Sequence, residues 1–286
     1  WDYVILTASN DQQAEGFRRQ IEERKEYLPA GTRFAAIPDR GGERVGSGGA
    51  TLEVLKYLHE QEGDFRKLRV LVIHSGGDSK RVPQYSALGK LFSPVPHQLP
   101  DGRSSTLFDE FMICMSSMPS RIREGMVLLS GDVLLLFNPL QIDYNNVGAA
   151  AISFKERVKV GKNHGVYVNG EDGNVKCCLQ KKPEEELREA GAVNEAGCVD
   201  IDTGALIFSP AMMDSLIGTE EGYDRYVNGT VRLSLYADFL YPLAEDSTLE
   251  QFYLEKPKGE FCEELTGARE QVWKVLRPYR MKLLRL

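Results

Sequence analysis

The sequence predicts an α/β fold: a Rossmann-like, mostly parallel mixed sheet flanked by helices, with a small antiparallel annex. Two observations carry this. Apolar runs of strand length alternate with amphipathic segments of helix length over most of the chain. The strand-like runs are also apolar without a break, the pattern of strands buried on both faces, whereas a sheet with one wet face alternates. With 286 residues the chain is long enough to bury a large core without staples.

Residues 2–9, DYVILTAS, read as a buried strand. The helix in DQQAEGFRRQIEERKEYL starts at Asn10 or Asp11, because a short polar side chain there accepts from the open N–H groups of the first turn. TRFAAIPD is a second strand, and a glycine-rich loop leads from it to the helix ATLEVLKYLHEQ. LRVLVIHS is the third strand and TLFDEFMICMSSM the next helix. GMVLLSGDVLLLF reads as one very apolar strand interrupted at Gly131 and Asp132. GAAAISFK, HGVYVN and NVKCCLQKK are short strands, partly antiparallel, around a turn at Asp172 and Gly173. PEEELREAGA is a short acidic helix, VDIDTGALIFS a strand, and PAMMDSLIG a helix opened by Pro210, whose missing N–H costs nothing in a first turn. The alternation fades after about residue 255. One domain is therefore expected over residues 1–267. The basic, amphipathic stretch 268–286 is expected to be a helix and connector that dock a following domain of a longer chain.

A net charge of −7 and a pI near 5.3 exclude a broad nucleic-acid surface but leave room for a local phosphate pocket. The five cysteines are odd in number and include no CxxC pair, which excludes a disulfide framework or zinc site and fits a reducing cytoplasm. No apolar run approaches the length of a membrane span.

Ligands of open α/β sheets gather outside the carboxyl ends of the strands, and two glycine-rich loops are expected there. In ERVGSGGATLEVL the glycines precede a helix, so Gly48 and Gly49 are candidates to present N–H groups to an anion; a tight turn is the alternative. No Gly-Lys-Ser/Thr follows, so this is not a Walker loop. IHSGGDSKRVPQYSALGK leaves the third strand through Ser75, Gly76 and Gly77, passes Lys80 and Arg81, and reaches Lys90 inside apolar SALGKLF. A lysine among apolar neighbours either snorkels or points into a site. Asp132 is expected to be buried at the end of its apolar strand, where a charge needs a partner; magnesium bridging carboxylate and phosphate oxygens supplies one. Asp238 in LSLYADFLYPL is the preferred second carboxylate, with Asp200 and Asp202 competing. His59, His74 and His97 read as structural or exposed.

The strand, Gly-Gly-x-Ser-x-Arg and a lysine nine residues on resemble the signature loop of the nucleotide-sugar pyrophosphorylases. These are nucleotidyltransferases of GT-A-like fold that join a nucleoside triphosphate to a sugar 1-phosphate. HSGGDSKRVPQYSALGKLF and GSGGATLEVL together resemble the fucose-1-phosphate guanylyltransferase branch, which includes bifunctional fucokinase/GDP-fucose pyrophosphorylases. The resemblance runs across nearly the whole chain. It implies GTP and L-fucose 1-phosphate as substrates, GDP-fucose and pyrophosphate as products, and Mg²⁺ or Mn²⁺ as the ion. It also implies Arg81 on the triphosphate as pyrophosphate departs, Lys90 on phosphate in the transition state with Lys80 beside it, and Asp132 on the metal. HGVYVNGEDGNVKCCLQKKPEEE resembles the family segment that ends in a lysine–proline pair. That implies Lys182, directly before Pro183, or Lys181 on the sugar phosphate. His164 then faces the sugar, and Thr203 and Gly204 form a turn against which the hexose rests. The loop departs from the wider family in following the third strand rather than the first, and in its Gly-Gly-Asp-Ser-Lys-Arg form. The alternatives are a sugar-kinase-associated domain and a non-catalytic nucleotide-binding domain. The kinase loop Pro-x-x-x-Gly-Leu-Gly-Ser-Ser-Ala is absent, and Asp132 and Lys90 speak against the second.

Overall fold

The computed structural model describes residues 1–75, 82–85, 89–141, 148–218, 231–257 and 260–286. Its strands are β1 (Tyr3–Ala8), β2 (Arg33–Pro38), β3 (Arg69–His74), β4 (Pro94–Gln98), β5 (Ser104–Thr106), β6 (Gly125–Ser130), β7 (Ala149–Arg157), β8 (Gly165–Asn169), β9 (Val175–Gln180), β10 (Cys198–Phe208) and β11 (Met281–Arg285). The longer helices are α1 (Asp11–Glu22), α2 (Gly46–Glu62), α3 (Leu107–Cys114), α4 (Pro210–Ile217) and α5 (Glu263–Leu276). In the main sheet the order is β11-β7-β10-β6-β3-β1-β2, with β8 on β10 and β9 on β8. β2, β1, β3 and β6 run parallel, so their carboxyl ends form one rim. β10 enters antiparallel between β6 and β7. The antiparallel annex is the β8–β9 hairpin, continuous with the main sheet through β10, and β4 and β5 form a separate antiparallel pair.

The unbroken apolar runs have two packed faces as their cause. Ile5, Val70, Val72 and Leu128 point to one side, under α2, α4 and α5. Val4, Leu6, Leu71 and Leu129 point to the other, against Phe17 of α1 and Phe108 and Phe111 of α3. Successive side chains of a strand face opposite ways, so neither parity is left for polar residues. The helix starts follow their capping residues. Asn10 Oδ1 accepts from Gln13 N–H at 2.9 Å, and Thr106 with Asp109 forms a capping box on α3. Among the described residues no helix is long and apolar enough to cross a membrane.

The strand expected through Gly131 and Asp132 stops at Ser130. Gly131 N–H donates to His74 O at 2.9 Å, and a Cβ on Gly131 would lie 2.8 Å from that oxygen. Asp132 therefore stands exposed beyond the strand, not buried within it. The stretch 268–286 folds into the sheet domain itself. α5 begins at Glu263, crosses the expected boundary at residue 267, and buries Leu265, Ala268, Val272 and Leu276. β11 then pairs parallel with β7 as the edge of the sheet. The amphipathic face does dock, and what it docks on is the chain's own core.

Asp238 is fully buried in an ion pair that secures this tail. Its Oδ1 accepts from Arg269 Nε at 2.9 Å and its Oδ2 from Ser234 N–H at 2.6 Å. Arg269 Nη1 donates to the carbonyls of Phe252 and Glu255, each at 2.8 Å. With both oxygens engaged by the protein, Asp238 is a tether between α5 and the turn Leu235–Phe239, which corrects the metal-ligand expectation. Breaking a buried pair from one side leaves a lone charge, at about 3–5 kcal/mol. Arg269→Ala is expected to lose about that much in urea denaturation, and Arg269→Met with Asp238→Leu much less. A loss below about 1 kcal/mol for Arg269→Ala, typical of a surface pair, contradicts the tether.

Candidate active site

Across the rim, in spatial order, the strand ends carry Asp39 after β2, Thr7 and Ser9 at β1, His74 and Ser75 at β3, and Asp132 after β6. A cavity of about 270 Å³ opens at the end formed by β2, β1 and β3. Its walls include Thr7, Ser9, Asp39, Arg44, Ser47 and His74.

His74 organises this end. Its Nδ1 lies 3.2 Å from Thr7 Oγ1 and its Nε2 3.1 Å from Thr51 Oγ1. Thr51 donates its own proton to Ser47 O at 2.8 Å, so toward His74 it only accepts. The network therefore assigns the proton to Nε2, and Nδ1 accepts from Thr7. His74 forms part of the cavity floor and is otherwise enclosed by protein. Burial pushes its pKa down to about 4, which keeps the ring neutral. Ser75 Oγ donates to Thr7 O at 2.8 Å, closing the same corner.

The first glycine-rich stretch is not a loop but the opening turn of α2. Gly48 N–H and Gly49 N–H both donate to Leu233 O, at 2.8 and 3.4 Å. A Cβ on Gly48 would meet the Leu233 backbone at 3.1 Å, and one on Gly46, whose φ is +79°, would meet Leu233 O at 2.2 Å. These glycines admit a second backbone, and their N–H groups are spent on it. Gly48 and Gly49 are therefore packing residues, which corrects the expectation that they bind an anion. Ser47 takes the Leu235 N–H on its Oγ at 3.0 Å and reaches the cavity wall.

Asp39 is the acid that sequence reasoning passed over. Burial raises its pKa from 3.8 to about 6; a hydrogen bond from the Val45 backbone and the charge of Arg44 oppose the rise, and Glu53 adds to it. An acid placed directly after the strand RFAAIP, before the turn into a glycine-led helix, was the available signal.

Gly76, Gly77, Lys80 and Arg81 lie outside the described residues. The far end of their loop is firmly held. Gly89, at φ +75°, packs on Phe17 and Gln13. Lys90 O accepts from Ser93 N–H and Oγ–H at 2.9 and 2.6 Å. Leu91 is buried, and Phe92 sits between Phe17 and Phe108. Lys90 thus lies beside buried Gly89 and Leu91.

Beyond β3 the rim continues to Asp132, whose Oδ1 accepts from Ser130 Oγ at 2.7 Å. β10 bulges between Asp202 and Ala205, and Gly204, at φ +72°, abuts Ser130: a Cβ there would lie 3.1 Å from Ser130 Cβ. Asp202 Oδ1 accepts from Tyr167 O–H and Gly204 N–H at 2.7 and 2.8 Å. Burial raises its pKa, while those two hydrogen bonds and the charge of His164 pull it down. Thr203 is buried and donates to Ile152 O at 2.6 Å, so its hydroxyl stays internal and the expected sugar contact is corrected. Asp200 is paired with Arg285 at 3.0 Å. Lys182 pairs with Glu186 at 3.2 Å on the surface. Exposed His164 accepts on its carbonyl from Lys181 N–H at 2.9 Å. No group of three or more potential metal ligands is assembled among the described residues.

Residues 63–286 match the family model of the fucose pyrophosphorylase domain. The chain is 34% identical to a fucose-1-phosphate guanylyltransferase of Mus musculus, over 61% of this chain and 30% of the mouse protein. It is 25% identical to the protein of that name from Homo sapiens, over 97% of this chain and 50% of the human one. With a bifunctional fucokinase/GDP-fucose pyrophosphorylase of Arabidopsis thaliana it shares 29% identity, over 72% of this chain and 23% of the plant protein. The chain thus spans half the length of these relatives or less. Among solved structures, HddC from Yersinia pseudotuberculosis is similar over 84% of this chain and 85% of its own, with a TM-score of 0.38 and 11% identity.

The two titrating groups of the cavity are expected to act oppositely in thermal unfolding. His74 titrates below its ordinary 6.5 when folded, so the unfolded chain binds the extra proton. Its contribution is lost as pH falls from 6.5 toward about 4. His74→Gln keeps a donor and an acceptor but does not titrate, and should lose less over that window. Asp39 titrates above its ordinary 3.8 when folded, so stability falls as pH rises from 3.8 through about 6. Asp39→Asn should therefore melt higher than wild type above a pH of about 6, the gap closing toward 3.8. Identical pH slopes for all three proteins contradict both assignments.

Proposed function

We propose, from the premise that this chain belongs to the fucose pyrophosphorylase family, that it transfers a guanylyl group from GTP to L-fucose 1-phosphate and releases pyrophosphate. One observation carries the reading. The parallel strands β3 and β6 end side by side, so Ser75, the root of the Gly-Gly-Asp-Ser-Lys-Arg loop, touches the Gly131 turn that presents Asp132.

An oxygen of the sugar phosphate attacks the α-phosphorus of GTP. The bond from that phosphorus to the oxygen bridging to the β-phosphate breaks, and pyrophosphate leaves with the electron pair. No covalent enzyme intermediate is needed, so the protein contributes positioning and charge. Magnesium keeps several waters and takes one or two carboxylates together with substrate phosphates. Asp132, exposed and oriented by Ser130, fits that donor set. Asp202, on the β10 bulge whose Gly204 touches Ser130, takes the second position expected for Asp238. When bound, Mg²⁺ or Mn²⁺ supplies positive charge against the phosphate oxygens. Lys90 is assigned to the phosphates from its rigid segment, with Lys80 and Arg81. Either Lys182, which meets Glu186 on the surface, or Lys181 is assigned to the sugar phosphate. The free thiols support a reducing cytoplasm as the setting.

Pyrophosphate release, measured over a panel of nucleoside triphosphates and sugar 1-phosphates, is expected to be greatest for GTP with L-fucose 1-phosphate and to vanish with chelator. Lys90→Ala should lower kcat by about 10²–10³, the cost of one preorganised contact. Asp132→Asn should raise the divalent-ion concentration needed for half activity. Full activity in chelator, or near-normal turnover in Lys90→Ala, contradicts the assignment.

A further inference from the structure

The transfer reaction uses the phosphate end of the rim and leaves the 270 Å³ cavity without a role. We propose that this cavity takes the base of the nucleoside triphosphate and that Asp39 selects guanine within it; the proposal rests on the nucleotidyl-transfer reading.

Position comes first. The walls are contributed by the ends of β1, β2 and β3 and by the start of α2. Ser75, where the glycine loop departs, bonds to Thr7 of the same wall. A phosphate group bound beside Ser75 has the cavity as its neighbour. Size agrees. Pockets for whole small molecules run to about 300–1,000 Å³, so a space of about 270 Å³ suits one part of a nucleotide rather than all of it.

Chemistry then selects the base. Guanine presents its N1–H and its exocyclic amine side by side, both as donors. An ionised carboxyl only accepts, so it pairs with both. Adenine presents a lone pair at N1, which a carboxylate repels. Bases outside a duplex are read along this edge by hydrogen bonds. Among the described lining residues Asp39 is the one acidic side chain, and Arg44 and Arg232 belong to the same lining. Several of the other polar groups are already paired. Thr7 and His74 bond each other, and Ser9 Oγ donates to Gln13 Oε1 at 3.1 Å. A half-buried carboxyl whose ionised form is disfavoured is also a stability cost that a binding role explains.

Calorimetry on the full chain, above a pH of about 6 so that Asp39 is ionised, tests this. The probes are GTP, ITP (no exocyclic amine), XTP (a carbonyl in its place) and ATP. Wild type is expected to bind GTP at least about tenfold more tightly than ITP, and ATP and XTP more weakly still; full rejection of a missing partner reaches about 10⁴–10⁵ in sites built to hydrogen-bond it. Asp39→Asn should lose GTP by at least about tenfold and gain XTP, because its amide donates to the new carbonyl while its oxygen accepts N1–H. A gain of XTP cannot come from misfolding. If Asp39→Asn keeps the wild-type ranking, or wild type binds all four equally, the base proposal falls while the transfer reading stands. If Asp39→Asn melts normally but loses all four together, Asp39 does not read the base. If wild type binds none of them, both readings fall.

Discussion

A neutral, enclosed histidine holds the rim together. His74 gives its Nε2 proton to Thr51 of α2, accepts the hydroxyl proton of Thr7 on β1, and takes the Gly131 N–H on its carbonyl. One residue at the end of β3 thereby fixes the ends of both neighbouring strands and the first turns of a helix. A charged ring would turn Nδ1 into a donor and set it against the Thr7 hydroxyl. Burial prevents this by holding the pKa near 4. The position asks for one donor and one acceptor in a rigid plane, which neutral imidazole supplies.

Backbone contact, not side chains, completes that corner. The Gly46–Gly49 turn receives Leu233 at distances no larger residue allows, and this presses residues 231–235 against α2. The consequence reaches the tail, because the same segment leads to Asp238 and its bond to Arg269 of α5. On the proposed reading the rim then divides by chemistry. Asp39 and His74 stand at one end for the base, Ser75 and Lys90 serve the phosphates, and Asp132 and Asp202 would hold the ion against those phosphates.

Much of the fold was legible because its strands are buried on both faces, so their runs are apolar throughout and the helices between them are amphipathic. Asn10 as a cap and Pro210 in a first turn marked helix starts from local sequence alone. What failed is what depends on distant partners. A glycine that admits Leu233 looks in sequence like one that admits a phosphate. The apolar neighbours of Asp238 announce burial, but not whether an arginine or a metal meets the charge. Residues 281–285 read as a connector because β7, their partner, lies far back in the chain. Asp132 was expected buried at the end of its strand and stands exposed beyond it, since nothing in SGDVLLLF shows that Gly131 folds onto His74. His74 itself read only as structural or exposed; its linking role depends on threonines far away in sequence.

Amide exchange over short labelling times, which reports local opening, tests the central claim most directly. GTP with a divalent ion is predicted to slow exchange in residues 36–51 and 69–75 and around 126–132, where His74 joins the strand ends. Residues 263–285 should keep their ligand-free rates. Slowing confined to the 165–180 hairpin and the tail, with 69–75 unchanged, contradicts a nucleotide site organised by His74.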